Sequence, residues 1–231
     1  MLTLTPSKTV SEMGYKVIIT GATGMVGEGV MHECLQDPEI SEVLLINRRP
    51  AGFSHPKLKE VIQPDFLNFA GIPVDFKNYD ACFFCLGVSS VGMSKTEYEK
   101  LTYDLTLGVA RTMAAQNPEL VFCYVSGAGT DSSEKSRQHW ARVKGKTEND
   151  LLKVFKNAYM FRPGFLSTSP ELKNTKSYYK YFAWLEPVLK PFFGNYMSSL
   201  AELGKGMINA MKKGSPKPVL EVKDFKNLAR A

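Results

Sequence analysis

The chain has 231 residues, 44% of them hydrophobic and 23% charged, a balance that suits one α/β domain with a well-buried core and excludes a disordered chain. Its formal charge of +6 comes from scattered lysines and arginines, with runs no longer than Arg48-Arg49 or Lys212-Lys213, so a solvated surface is expected and a nucleic-acid groove is not. No apolar run approaches the roughly 18 residues that span a bilayer, and the opening MLTLTPSKTVSEMGYK lacks the basic-then-apolar order of a signal peptide, so a cytoplasmic protein is expected.

Short apolar runs alternate with helical patterns along the chain. The spacing predicts strands over Lys16–Thr20, Glu42–Ile46, Leu58–Ile62, Asp80–Cys85, Leu120–Val125 and Ala158–Phe161, each apolar almost throughout, as in strands covered on both faces. A helix over Met25–Gln36 follows the first strand. Ser94-Lys-Thr-Glu97 reads as a capping box before Tyr98, Leu101, Leu105, Val109 and Met113 at helical spacing, a helix that stops by Asn117-Pro118. Another helix is expected from about Glu134 to Phe155. Ser199-Leu-Ala-Glu202 caps a last one reaching Met211, in which Gly204-Lys205-Gly206 are small residues for packing. Alternating βα units imply a doubly wound parallel sheet with right-handed crossovers, a Rossmann fold. Residues 1–231 therefore read as one domain, to which 164–231 contributes a C-terminal cover.

The four cysteines are Cys34, Cys82, Cys85 and Cys123. Cys82-Phe-Phe-Cys85 lies in a strand, where residues three apart point to opposite faces and cannot bridge. Core packing is expected for all four. No metal is implied.

The strongest motif is Tyr15-Lys-Val-Ile-Ile-Thr-Gly21-Ala-Thr23-Gly24-Met25-Val26-Gly27. The glycines follow an apolar strand and open a helix, the context in which they cradle a pyrophosphate. Gly21 permits the tight turn, Gly24 lets the backbone approach the phosphates, and Gly27 lets helix and sheet pack closely, with the helix N-terminus facing the anion. The second strand ends Leu44-Leu-Ile-Asn47-Arg48-Arg49. An NAD enzyme usually places a carboxylate there, about 20 residues after the turn, to hold the ribose 2′-hydroxyl. Asn47 lacks that charge, whereas Arg48 and Arg49 suit a 2′-phosphate, which points to NADP(H).

Together these residues resemble the atypical and extended short-chain dehydrogenases/reductases, and within them the epimerase-like group of the HIV Tat-interacting short-chain dehydrogenase homologues and their bacterial relatives. The likeness runs from about Lys16 to Glu221. It implies that Asp65-Phe66 flank the adenine and that Cys85-Leu86-Gly87 lie along the cofactor. It also places Ser126 at the active-site serine, and Arg162-Pro163-Gly164-Phe165 on the nicotinamide side. The tail, with Glu202-Leu-Gly204 and Pro216-Lys-Pro218-Val219-Leu220, is similar to that of the bacterial members.

Members of this family carry Tyr-x-x-x-Lys on one helix, so that lysine holds the nicotinamide ribose and lowers the tyrosine's pKa for proton transfer. The matching stretch here is His139-Trp140-Ala-Arg-Val-Lys144-Gly-Lys-Thr-Glu148, with Trp140 in the tyrosine's place. No tyrosine lies four residues before a nearby lysine. An indole N–H donates a hydrogen bond but is no acid or base. His139 is one residue away, rotated by about 100° on a helix, and is expected to face solvent or the substrate cover. Tyr103 on the neighbouring helix is another candidate near the cofactor, and Asp104 matches an acidic position of the Tat-interacting relatives.

Tyr178–Phe193, YYKYFAWLEPVLKPFF, is densely aromatic, with Pro187 and Pro191 preventing one long helix. It reads first as a substrate cover over the nicotinamide end, and second as an interfacial membrane anchor or partner surface. Two functions stay open. One is an NADP(H)-dependent oxidoreductase or epimerase-like enzyme acting on a small carbonyl or hydroxyl substrate. The other is a catalytically silent NADP(H)-binding redox sensor. The substrate is open, and so is the choice between a homodimer and another protein partner.

Overall fold

The first βα unit forms where the sequence places it, and the rest of the sheet builds outward from it. A computed structural model describes residues 14–167 and 196–231. Its strands are β1 (Tyr15–Thr20), β2 (Ile40–Asn47), β3 (Leu58–Ile62), β4 (Ala81–Phe84), β5 (Val121–Val125), β6 (Ala158–Arg162), β7 (Phe165–Ser167), β8 (Met197–Ser199) and β9 (Val219–Glu221). Seven pair in parallel in the order β3-β2-β1-β4-β5-β6-β9, while β7 and β8 form a separate parallel pair. The chain leaves β1 outward to β3, then crosses back to β4 beside β1. This reversal of direction opens a crevice at the C-terminal ends of β1 and β4, where such sheets bind ligands.

Strand alternation sends Val17, Ile19, Val43 and Leu45 to one face and Ile18, Leu44 and Ile46 to the other, all buried. The helices are α1 (Met25–Gln36), α2 (Lys95–Glu99), α3 (Leu105–Gln116), α4 (His139–Val154), α5 (Leu200–Lys213) and α6 (Val222–Ala229). Core residues of α1, α5 and α6 join the first face, and those of α3 and α4 join the second. Between β3 and β4, two 3-10 turns (Phe66–Asn68 and Phe76–Asn78) bury Phe66, Phe69 and Phe76 in place of a crossover helix.

Three differences from the sequence reading have local causes. The helix expected from about Glu134 begins at His139, because the Asp131 carboxylate gathers the backbone N–H groups of Ser133, Lys135 and Ser136 into a turn. Those donors, with the Ser133 hydroxyl foremost, pull Asp131 down to about 2, and Glu134 adopts φ 60. The helix expected after Ser94 is interrupted by a π turn over Lys100–Asp104 between α2 and α3. The Ser94 side chain accepts from Glu97 N at 3.2 Å, and Asn117 ends α3 as expected. The tail adds elements that the sequence reading lacked, its described residues 196–231 supplying the outer strand β9 and two helices of the sheet layers. There α5 starts on a full Ser199–Glu202 capping box and packs on α1, with Gly29 against Leu200 and Gly204 against Glu33. Lys212 near its end binds Asp37 at 2.9 Å. Residues 178–193 lie outside the described residues.

Candidate functional site

Gly21 has φ 76, a conformation open to glycine, and a Cβ there would press on Leu86 N at 2.8 Å. Its carbonyl accepts from Gly24 N at 2.9 Å. A Cβ on Gly27 would overlap the Gly21 carbonyl, which fixes how closely α1 approaches β1. Gly24 is exposed and is the N-cap of α1, yet no side chain caps that helix. Its first N–H groups are thus left for another acceptor. Thr20 Oγ1 and Asn47 Oδ1, at the C-terminal ends of β1 and β2, are buried with no partner among the described residues. Each such atom is costly unless something satisfies it.

Beside this turn a cavity of about 120 Å³ is lined by Arg48, Asp65, Phe66, Leu86 and Gly87 among others. Asp65 is held by its own cap to Leu67 N at 2.9 Å. Arg48 and Arg49 are exposed, and neither has a hydrogen-bond or ion-pair partner among the described residues. Met25 and Val26 pack partly buried on the core, Thr23 is half-buried at the turn, and Cys85 N donates to Thr20 O at 3.2 Å. A glycine cradle, an uncapped helix start, orphaned polar atoms and the adjoining cavity fit a dinucleotide. All four cysteines are free, and burial pushes their thiols up, Cys85 to about 12.

Further along the same sheet edge, Ser126 follows the last residue of β5, and α4 packs beside it. Trp140 and Lys144 sit one turn apart on one face of α4. The Trp140 ring lies against Gly129, 3.2 Å from where a Cβ would stand. Lys144 Nζ donates to Ser126 O. Burial pushes the Lys144 amine down to about 8, against the pull of Glu148 one turn on. The Ser126 hydroxyl donates to Glu148 Oε1 at 2.5 Å, with Phe161 O at 3.2 Å as a further acceptor. Fully buried Glu148 is gripped by Arg162, whose Nε lies 3.0 Å from Oε1 and whose Nη2 pairs with Oε2. Arg162 also reaches Glu221 at 3.1 Å. Pro163 O accepts from Ala128 N at 2.8 Å, while Gly164 and Phe165 lie along Tyr196, whose carbonyl accepts from Phe165 N at 2.8 Å.

The other candidates point elsewhere. His139 is half-buried and docks on α2, with Nε2 3.2 Å from Lys95 O and its ring edge-on to Tyr98. Tyr103 donates to Asp150 at 2.7 Å under Lys146, which sits 3.3 Å over its ring, so its hydroxyl is committed to α4. Asp104 is exposed. Glu148 had no role in the sequence reading. Its place four residues after Lys144 was the available signal, since that spacing puts both on one helix face.

The sequence model of the NAD dependent epimerase/dehydratase family matches residues 17–172. The chain belongs to that family. Among curated proteins it is similar to Protein FMP52, mitochondrial, of Candida albicans, 25% identical over 85% of this chain and 87% of the relative. Protein HTATIP2 of Rattus norvegicus is 29% identical over 65% of this chain and 62% of its own length. Among solved structures, the enzyme WbmF of Bordetella bronchiseptica in complex with NAD+ has a TM-score of 0.66 at 13% identity, over 95% of this chain and 78% of that one. The chain is thus an extended short-chain dehydrogenase/reductase of the NAD(P)-binding, epimerase-like oxidoreductase family, with the Rossmann sheet of its structural neighbours. The FMP52 relatives from several fungi are named as mitochondrial, which overturns the expectation of a cytoplasmic protein. An opening segment without a secretory pattern does not separate those compartments. No described helix of this family member is long and apolar enough to cross a membrane.

The lowered pKa of Lys144 sets a pH dependence. Above about 8 the folded chain gives up this proton, while the unfolded chain keeps it up to its ordinary 10.5. The unfolded state then binds more protons, so this group makes stability rise with pH across that window. Urea unfolding at several pH values should show a rise that flattens in Lys144→Met. Parallel curves for the two proteins would mean that the amine titrates normally.

Proposed function

We propose that this family member binds NADP(H) in preference to NAD(H) and is an oxidoreductase or epimerase-like enzyme for a small carbonyl or hydroxyl substrate, without the usual tyrosine step. The observation that carries the cofactor reading is the pair of unpartnered guanidiniums, Arg48 and Arg49, following an uncharged Asn47. The glycine turn Gly21–Gly27 receives the pyrophosphate, and Asp65, Phe66, Leu86 and Gly87 the adenine. When bound, the nicotinamide supplies or accepts hydride. Lys144 binds its ribose through an amine held against Ser126 O, and Pro163-Gly164-Phe165 border it. Trp140 stands in the tyrosine's place as a wall of the pocket.

Calorimetric titration tests the cofactor preference. NADPH should bind at least about tenfold more tightly than NADH, the value of one charge-assisted contact of about 1.5–3 kcal/mol. Arg48→Ala should erase most of that difference. Equal affinities in the parent, or an unchanged ratio in the variant, would remove the argument.

A second reading, a catalytically silent NADP(H)-binding redox sensor, is favoured by one observation. The Ser126 proton goes to Glu148 at 2.5 Å. Toward a substrate the hydroxyl can then accept but not donate. With Trp140 on the other side, neither group at this pair of positions supplies a proton to a carbonyl oxygen. A nucleotide-dependent protein partner, with no turnover of any carbonyl, would decide for the sensor.

A further inference from the structure

The end of β2 is more elaborate than a neutral residue followed by two arginines. Asn47 is 2% exposed, and its Nδ2 donates to Glu60 Oε1 at 2.9 Å. The same oxygen accepts from Ala51 N at 2.9 Å. Glu60 thus reaches from β3 to hold both the last residue of β2 and the loop that carries Arg48 and Arg49. A carboxylate accepts and does not donate, so the Asn47 amide must turn its NH2 toward Glu60. That leaves Oδ1 facing away, the buried atom without a partner. Glu60 itself has no ion-pair partner among the described residues.

Two opposed preferences therefore meet at one strand end. The free guanidiniums of Arg48 and Arg49 favour a 2′-phosphate. An oriented carbonyl acceptor suits a hydroxyl, which can donate to it, and not a phosphate oxygen, which cannot. The carboxylate behind Asn47 is a like charge to a phosphate bound at that loop. Through water, such a like charge at close range costs a bound dianion on the order of fivefold to tenfold in affinity.

We propose that Glu60 is a specificity-determining residue of the dinucleotide site, fixing the Asn47 amide and the arginine loop while holding down affinity for the 2′-phosphate. This rests on the dinucleotide reading above. The carboxylate that usually sits at the end of the second strand is, in this chain, supplied one strand further out and acts through Asn47.

The test is calorimetric binding of NADPH and NADH to the full chain and to Glu60→Gln, which keeps an acceptor for both hydrogen bonds but removes the charge. NADPH should bind about fivefold to tenfold more tightly to the variant, with NADH within about twofold of the parent. The gain should shrink at about 1 M salt, where the Debye length is about 3 Å. A role confined to holding the loop would not respond to salt in this way. Glu60→Ala, which lacks charge and acceptors alike, should gain less for NADPH than Glu60→Gln and lose affinity for NADH. If both nucleotides weaken together in Glu60→Gln, or neither changes, Glu60 is a loop support and the proposal is overturned. If the parent binds neither nucleotide, the dinucleotide reading fails first and takes this one with it.

Discussion

Replacing Trp140 by tyrosine is expected to raise the reduction of simple aldehydes and ketones, and adding Lys144→Ala is expected to abolish the gain. Residues 140 and 144 share one face of α4, so the substitution puts a phenol one turn from an amine already lodged at the Ser126 carbonyl. That positive charge favours the phenolate and so lowers the phenol's pKa toward the working range. The tyrosine ring is smaller than the indole packed against Gly129, so the wall can accept it without moving the loop. The increase should be part of the roughly 10²–10⁴-fold that a positioned acid contributes, since substrate placement is not tuned for it. Single-turnover oxidation of NADPH against a panel of carbonyls would measure it. Brisk turnover by the parent that falls in Trp140→Tyr would sink the idea and point to another proton donor.

Breaking the ion pair beneath Ser126 should cost more stability than any other single change at this site. Glu148 is fully buried, and Arg162 is 11% exposed. Removing one partner of such a pair leaves an uncompensated charge and costs about 3–5 kcal/mol. For a chain of this size that lowers Tm by roughly 6–20 °C. Glu148→Ala should therefore melt early in calorimetry. The paired replacement Glu148→Leu with Arg162→Met should melt later than Glu148→Ala alone, because no buried charge is stranded. A double variant that is no better than the single one would mean that the pair stabilises by its own attraction rather than by mutual compensation. Glu221 is 52% exposed and pairs with the same guanidinium at 3.1 Å, so solvent screens it and it cannot take over.

The parts of this molecule that were legible in the sequence are those governed by local chemistry. Met25–Gln36 is helical to the residue because glycine spacing opens it and Asp37-Pro38 closes it. The β3 strand, Leu58–Ile62, was likewise predicted to the residue. The short strands β7, β8 and β9 were invisible, since three residues carry no period, and β9 exists only because β6 offers it an edge. The late start of α4 was hidden for a different reason. Asp131 outcompetes the helix for backbone N–H groups, and nothing in the alternation of residue types announces that capture. At the site, motif positions gave the glycine turn and the neighbourhood of Ser126 and Lys144. What the Ser126 hydroxyl does with its proton, and what fixes the Asn47 amide, depends on Glu148 and Glu60. Each meets its partner only once separate elements come together.

The packing of α5 on α1 bears on the order in which the molecule is made. The glycine turn and α1 are complete by residue 36, yet the surface of α1 that carries Gly29 and Glu33 is covered by Leu200 and Gly204. Lys212 anchors the far end of that contact to Asp37 and Glu39. During synthesis the first βα unit therefore emerges with an apolar flank that has to wait for some 160 further residues, a sequence separation that makes folding slow. Until α5 arrives, the glycine turn proposed to hold the pyrophosphate rests on a helix secured on one side only, so the finished shape of that turn is a property of the nearly complete chain.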